Sequence, residues 1–432
     1  MVTIKPFRTT VLNPQLPQRD RLVCPVYDTI DETEYARYGG EKNNVINITT
    51  RKTGVDSEGF ITNAMKCLER FFDEQILVER DKPALFIYGI RYTLPGNILS
   101  QIPEIARRDI YFAFGLVGLV KVEELGTGSI VGHERIFEKH TIERYNLMKA
   151  CGMNFSPIVS EYNMPGHEIN NILEDYLGFK RPDLILREER APLVDLELNG
   201  TRHLLWEITE IEIIEKIQQL LKDEKVLILD GHHRYNAANE LRMKDGVDYT
   251  MMMFMEGGDR ALLLLPWHRV VRRIDLGKLE LQMERYFETI WDGKRGDGFN
   301  TALQDSDGKY DVRMGLYNGE TFSVQKANKE DVKRLSVELG ENVGLDYIAL
   351  NEWIIGPCVD NGNIDDVVFV DSMDEAVNKV DSKGFDVAFL IRPLAIEDVE
   401  YKAHVETKNF PQKSTLFLPK VAEGIMMRQS RE

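Results

Sequence analysis

The sequence predicts an α+β protein with two or three cores, and three observations point there. Residues 84–88 and 116–122 are β-rich apolar runs that can pair antiparallel. Residues 225–238 read as a strand, a one-glycine turn and a helix. Asn318-Gly319 marks a hairpin between 312–317 and 321–324. A length of 432 residues exceeds one average domain and leaves ample apolar sequence to bury.

Each element follows from a local pattern. The first hundred residues open with an extended segment punctuated by Pro6, Pro14, Pro17 and Pro25. A helix over 63–75 should turn Met65, Leu68, Phe71 and Phe72 inward. Residues 95–109 read as an insertion between the two paired strands. The longest apolar stretch, 111–120, is too short to cross a bilayer and reads as a buried strand. A helix over 141–151 carries Ile142, Tyr145 and Met148 on one face, and 156–159 resumes a strand. The capping box Thr209-x-x-Glu212 opens a helix with the stripe Ile213, Ile214, Ile217, Leu220 and Leu221, which delivers the chain to Val226. Residues 249–255 and 261–265 are nearly continuous apolar runs, expected of central strands covered on both faces. Gly and Asp enrichment over 292–309 predicts a boundary between Arg273 and Tyr310. Beyond it, 367–370, a helix near 375–380 and 387–391 form a β-α-β pattern, so the last third is α+β.

Charge and cysteine usage narrow the partners. Lys and Arg total 54 against 71 Asp and Glu, a formal net charge of -17, which disfavours nucleic acid. A local basic pocket for a small phosphorylated ligand remains compatible with that field. Cys24, Cys67, Cys151 and Cys358 lie far apart with no C-x-x-C pair, so neither a zinc cluster nor a disulfide framework is expected, and a reducing cytoplasm fits. Residues 1–8 lack the apolar core of a signal peptide, and no membrane partner is expected.

Asp230-Gly231-His232-His233-Arg234 is the most informative motif. The first N–H groups of a helix point outward together, and the positive dipole end adds to three potentially cationic side chains, so phosphate is the natural ligand. The alternative is that Asp230 only caps the helix and the histidines are surface polar residues. His133-Glu134 is not a zinc motif, because position 137 is Phe where a second His is needed. Glu134 can instead serve as a general base that accepts the proton of an attacking hydroxyl, or simply be an acid in a first helical turn. Lys413-Ser414-Thr415 mimics the end of a Walker A loop but lacks the glycine cradle and the following helix. Its lysine and hydroxyls can still contact an anion, with a solvated turn as the alternative. Pro266-Trp267-His268-Arg269 ends an apolar strand, where site residues often project; His268 reads equally as a packed imidazole.

Several of these runs together resemble a known family. Cys24-Pro25-Val26-Tyr27-Asp28, His133-Glu134-Arg135, Asp230-Gly231-His232-His233-Arg234, Leu265-Pro266-Trp267-His268-Arg269 and Pro411-Gln412-Lys413-Ser414-Thr415-Leu416-Phe417-Leu418-Pro419-Lys420 resemble a widespread bacterial and archaeal family that carries a domain-of-unknown-function label. The likeness spans nearly the whole chain. More distantly, the order His-Glu, helix, strand with Pro-Ile, then Asp-Gly-His-His-Arg is similar to the core of the ParB and sulfiredoxin superfamily, including its free serine kinases.

That resemblance implies a ParB/sulfiredoxin-like nucleotide-binding core over 111–275, an N-terminal segment 1–110 packed on it, and a C-terminal α+β domain over 276–432. It implies a phosphotransferase using ATP or ADP with Mg²⁺ on a small hydroxylated metabolite, a free serine-like amino acid being the first to try. Glu134 would be the catalytic base. His232, His233 and Arg234 would hold the phosphates, Gly231 would let them approach the backbone, and Asp230 would cap the turn or touch Mg²⁺. Asp28, His133, Arg135, His268, Arg269, Lys413, Ser414 and Thr415 are the further pocket candidates. Gly132 stands where the kinases have Pro before His-Glu, and a His occupies the position of sulfiredoxin's catalytic Cys, which excludes sulfinic acid chemistry. The added C-terminal third is a substrate lid or a homo-oligomer surface. The rival reading is a nucleotide-binding regulator or clamp without small-molecule turnover.

Overall fold

Two β-sheets organise the chain in the computed structural model, which describes residues 1–99, 101–102, 106–136, 138–178, 190–359 and 366–430. The first sheet is built from β1 (Ile4–Lys5), β2 (Leu85–Tyr92), β3 (Tyr111–Lys121), β4 (Ile130–Val131), β5 (Ile158–Tyr162), β6 (Val194–Leu198), β7 (Thr201–Ile208), β8 (Val226–Asp230) and β9 (Tyr249–Glu256). Its order is β6-β7-β2-β3-β9-β5-β8-β4, with β1 also on β3. Neighbours are antiparallel except the parallel pairs β9/β5 and β8/β4. The expected pairing of the two early apolar runs appears as β2 against β3, with Phe86 opposite Val117. Part of the first 110 residues thus lies inside this sheet.

Both faces of the sheet are covered, which is why its strands read as continuous apolar runs rather than alternating ones. Along β2, Leu85 and Ile87 enter one apolar cluster while Phe86, Tyr88 and Ile90 enter the other. Helices α1 (Ser57–Asp73), α2 (Glu138–Cys151), α3 (Ile211–Leu221) and α4 (His232–Asp245) supply much of the cover. Ile214, Ile217 and Leu221 of α3 and Tyr235 and Leu241 of α4 pack on the first face, and Phe60, Ala64 and Phe71 of α1 belong to the second cluster. Gly115 in β3 permits this density: a Cβ there would lie 2.6 Å from the carbonyl oxygen of Phe254 on β9.

Several local expectations need correction. Helices α1 and α2 begin earlier than the apolar stripe suggested, and Met65 and Ile142 face solvent at 47% and 50% exposure. Asp56 starts α1 by accepting from the Gly59 N–H at 2.7 Å, a cap outside the apolar pattern. The Thr209/Glu212 capping box does not form; Glu210 stands at the N-cap of α3 without a side-chain cap bond.

The second sheet comprises β10 (His268–Val271), β11 (Phe287–Gly293), β12 (Arg313–Tyr317), β13 (Phe322–Ala327), β14 (Val367–Val370) and β15 (Val387–Leu390), in the order β11-β13-β12-β15-β10-β14 and antiparallel throughout. The hairpin at Asn318-Gly319 joins β12 to β13, and Asn318 Oδ1 accepts from the Glu320 and Thr321 N–H groups at 3.0 Å. The expected β-α-β pattern is split: β14, helix α5 (Met373–Asp381) and β15 follow in sequence, but β10 lies between the two strands.

The chain end then returns to the first sheet's side. Leu416–Leu418 pairs with Leu263–Leu265, Ala422–Glu423 with Cys24–Pro25, and Arg428–Gln429 with Met153–Asn154. Residues 261–265 are therefore not a central strand; only Leu263–Leu265 is extended, in a two-stranded ribbon. Among the described residues no helix is long and apolar enough to cross a membrane.

Candidate active site at the end of β8

Segments remote in sequence meet where β8 hands over to α4. Residues 27–29, 134–136, 229–233, Trp267, Lys413, Thr415 and Lys420 line one cleft. Its interior holds about 50 Å³, room for a phosphoryl-sized group and not for a whole nucleotide. A nucleoside would lie outside it.

The turn itself depends on Gly231. Its φ is +93°, and a Cβ would sit 2.9 Å from Nε and Nη2 of Arg234. Arg234 curls back under the turn. Its Nη2 donates to Asp230 Oδ2 at 2.6 Å, and its Nη1 donates to Ser156 Oγ at 2.9 Å and to the Pro157 carbonyl at 2.5 Å. The other Asp230 oxygen accepts from Lys420 Nζ. Burial alone would raise the Asp230 pKa, but Lys420 and Arg234 outweigh it and hold the carboxyl well below the usual range. Asp230 thus does not cap α4, each of its oxygens pairs with a cation, and Arg234 braces the turn from beneath; the phosphate-holding role expected of Arg234 is corrected by this pairing.

The histidines are also not the cations expected. His232 is buried, its Nε2 accepts from the His133 N–H at 3.3 Å, and burial, with His133 next, holds its pKa well below the usual value. His233 is half-buried, with Nδ1 3.3 Å from Thr141 Oγ1; burial and then His140 push it down to about 4. His133 Nδ1 faces the Ile228 carbonyl at 2.9 Å, so that nitrogen carries the proton, and Nε2 accepts from Thr415 Oγ1 at 2.8 Å. Burial lowers its pKa to about 4. At neutral pH the His232 and His233 rings shape the cleft without charging it.

Glu134 is held by the chain's C-terminal part. The Phe410 N–H donates to the His133 carbonyl at 2.7 Å, and the Arg135 N–H donates to the Phe410 carbonyl at 3.0 Å. This ribbon brings the Lys413 N–H to Glu134 Oε1 at 3.0 Å and Thr415 Oγ1 to Oε2 at 3.3 Å. Burial raises the Glu134 pKa, and Lys413 and Lys420 offset only part of that rise. Because Thr415 gives its one proton to His133, its oxygen can accept a proton carried on Glu134 Oε2. The arrangement suits a base that must hold and release a proton.

Asp28, Arg135 and Lys413 also line the cleft, with Lys413 Nζ 4.9 Å from the centre of the Trp267 ring. Four candidates do not, among them His133, whose buried ring sits between the Ile228 carbonyl and Thr415. Ser414 is buried and donates to the Pro411 carbonyl at 2.8 Å. His268 is a packed imidazole: Nδ1 accepts from the Ile391 N–H at 3.1 Å, leaving Nε2 to donate to Gln101 Oε1 at 2.8 Å. Arg269 is buried near the rings of Tyr347 and Phe369 and donates to the Trp267 carbonyl at 2.6 Å. Strand β10 turns these two side chains into packed protein rather than toward the cleft. Lys420 is the important residue that sequence reasoning left out, although it closes the same Pro411 to Lys420 run. Among the described residues no three His, Cys, Asp or Glu side chains are grouped to hold a metal ion.

Residues 4–343 match the family described as Protein of unknown function (DUF1015). None of the curated proteins matches the chain in sequence. Among solved structures, a free serine kinase variant in complex with ADP is 13% identical with a TM-score of 0.36, covering 67% of this chain and 84% of that one. A C-terminally truncated SbnI from Staphylococcus aureus is 13% identical with a TM-score of 0.35, covering 71% and 85%. A conserved hypothetical protein from Pyrococcus furiosus is 13% identical with a TM-score of 0.32, covering 69% and 93%.

Proposed function

The chain belongs to the DUF1015 family, and we propose that it is a nucleotide-dependent phosphotransferase that uses ATP or ADP to phosphorylate a small hydroxylated metabolite, first of all a serine-like amino acid. The observation that carries this reading is Glu134: a carboxylate of raised pKa, fixed by the Lys413 N–H, in the same cleft as the glycine-led tip of α4. On this reading the first sheet and its helices are a ParB/sulfiredoxin-like core, to which the N-terminal segment contributes the strand Leu85–Tyr92, and the second sheet, beginning at His268–Val271, forms a further α+β domain.

The acceptor hydroxyl gives its proton to Glu134 Oε2 as its oxygen bonds to the terminal phosphorus. The bond from that phosphorus to the bridging oxygen breaks, and ADP leaves from ATP, or AMP from ADP. Phosphoryl transfer chiefly needs positioning and charge neutralisation. The N–H groups at the tip of α4, Lys413 and Arg135 supply these for the phosphates, while Lys420 is shared with Asp230. Mg²⁺ bound with the nucleotide would neutralise further charge, and Asp28 is the carboxylate we assign to it.

Calorimetric titration of the full chain with ATP, ADP and CTP tests the binding half of this reading. ATP or ADP should bind, and phosphorylated product should follow with L-serine or another hydroxylated metabolite. Binding that changes shape or oligomeric state without product would return the regulator reading; no binding at all would end both.

A further inference from the structure

Glu134 lines a second space besides the cleft at the helix tip. With Val131, Lys225 and His404 it borders a cavity of about 240 Å³, and Lys225 and His404 also border a neighbouring cavity of about 340 Å³. The two adjoin at these shared residues as a groove. It runs between the β5-β8-β4 edge of the first sheet and the helical segment Ile396–Tyr401 continued by Lys402–Glu406.

The end of this groove away from Glu134 holds an unsatisfied acid. Glu161, opposite Leu227 of β8, is 2% exposed, and neither of its carboxylate oxygens has a hydrogen-bond partner. Nδ1 of His404 is likewise buried without one. Val159, two residues earlier and on the same face, packs in the apolar cluster, so an apolar side chain would serve the fold at position 161. Burial, then Glu400 and Glu397, push the Glu161 carboxyl up to about 8. A buried acid whose charged form is disfavoured by burial and by two neighbouring carboxylates is a poor choice for a structural position, whereas a cationic ligand would favour its ionised form.

We propose that this groove seats the acceptor and selects a small zwitterion, with its ammonium between Glu161 and Glu400, its carboxylate toward Lys225 and its remaining chain directed at Glu134. An ammonium carries three donors and one positive charge, which supplies both orphan oxygens and relieves their mutual repulsion. A bare divalent cation fits less well, because among the described residues no third ligand converges with these two. The space matches a metabolite-sized ligand. Seating the acceptor here would bring its hydroxyl to Glu134 where that residue borders both the groove and the phosphate cleft, and in that respect the assignment rests on the phosphotransferase reading.

The test is calorimetric titration of the full chain with L-serine and L-homoserine, beside D-glycerate, which lacks the ammonium, and ethanolamine, which lacks the carboxylate. Either amino acid should bind the wild type, both truncated analogues should bind at least tenfold more weakly, and Glu161→Gln and Glu400→Gln should each weaken the amino acid at least tenfold while ADP affinity stays within twofold. Glu161→Gln should melt no lower than the wild type, since its carboxylate has no partner to lose; if it does melt lower, Glu400→Gln decides. Undiminished binding in the variants, glycerate binding as tightly as serine, or no amino acid bound by the wild type would overturn the proposal. Amino acid binding that depends on Glu161 without any phosphoryl transfer would sink the phosphotransferase reading alone. Transfer with unchanged KM in both variants would sink the groove alone.

Discussion

The backbone N–H of Lys413 donates to Oε1 of Glu134 at 3.0 Å, joining residues 279 positions apart. The contact fixes one carboxylate oxygen and leaves Oε2 beside Thr415. The segment that makes it lies beyond the second sheet in sequence. A candidate base on the first sheet's side is therefore aimed by the segment leading into the strand Leu416–Leu418, and the site is incomplete without it.

Gly231→Ala should damage the turn twice. A left-handed conformation costs a non-glycine residue about 1–2 kcal/mol, and the new methyl would press on the Arg234 guanidinium, 2.9 Å away. We expect a lower melting temperature and at least a tenfold loss of ADP affinity. Calorimetry showing unchanged ADP binding would remove the turn from the site.

Asp230→Ala should be among the most destabilising substitutions near the cleft. It strands Arg234 as a buried charge without its carboxylate, a loss of about 3–5 kcal/mol. Lys420→Ala should cost less, because that side chain retains 22% exposure and can be replaced by water. Denaturant titration would rank the two; equal losses would contradict the bracing role assigned to Arg234.

How legible this was differs by residue. The strand, Gly231 and the start of α4 at His232 are all visible in 225–238, because each follows from a local pattern of apolar run, glycine and helix former. Glu134 was visible as a type but not as a position, since its partners Lys413 and Thr415 arrive from the far end of the chain. Lys420 went unassigned for the same reason: it meets Asp230 across 190 residues. Arg234 braces the turn rather than facing a ligand, and His268 takes the packed alternative, because a basic side chain beside a turn looks the same in sequence whether it faces ligand or core. Only packing decides that.

Buried imidazoles make stability depend on pH, and His133, His203 and His268 show it most plainly. Burial is the first cause that lowers His133 to about 4 and His203 and His268 to about 3, against about 6.5 in an unfolded chain. Between those values the unfolded state binds more protons, so stability declines as pH falls, by up to about 1.4 kcal/mol per pH unit for each ring. Melting temperatures should drop steadily from pH 6.5 to 4, and His268→Gln should reduce the slope. An unchanged slope in that variant would show the His268 ring to be protonated in the folded chain, whatever raised acids such as Glu161 contribute.

The rate should respond to pH in a related way. Glu134 acts only when deprotonated, and its pKa is raised by burial above the ordinary glutamate value. The acidic limb of kcat/KM should therefore lie above about 4.3, with the rate rising as the proton is lost. A limb at or below that value would separate Glu134 from the chemistry.

The most direct measurement is phosphorus-31 NMR of nucleotide consumption and product formation with L-serine, in the wild type and in Glu134→Gln. The wild type should transfer the phosphoryl group, and the variant should bind ADP as well but turn over about 10²–10⁴-fold more slowly, the range for losing a general base. Equal rates in the two proteins would contradict the role given to Glu134.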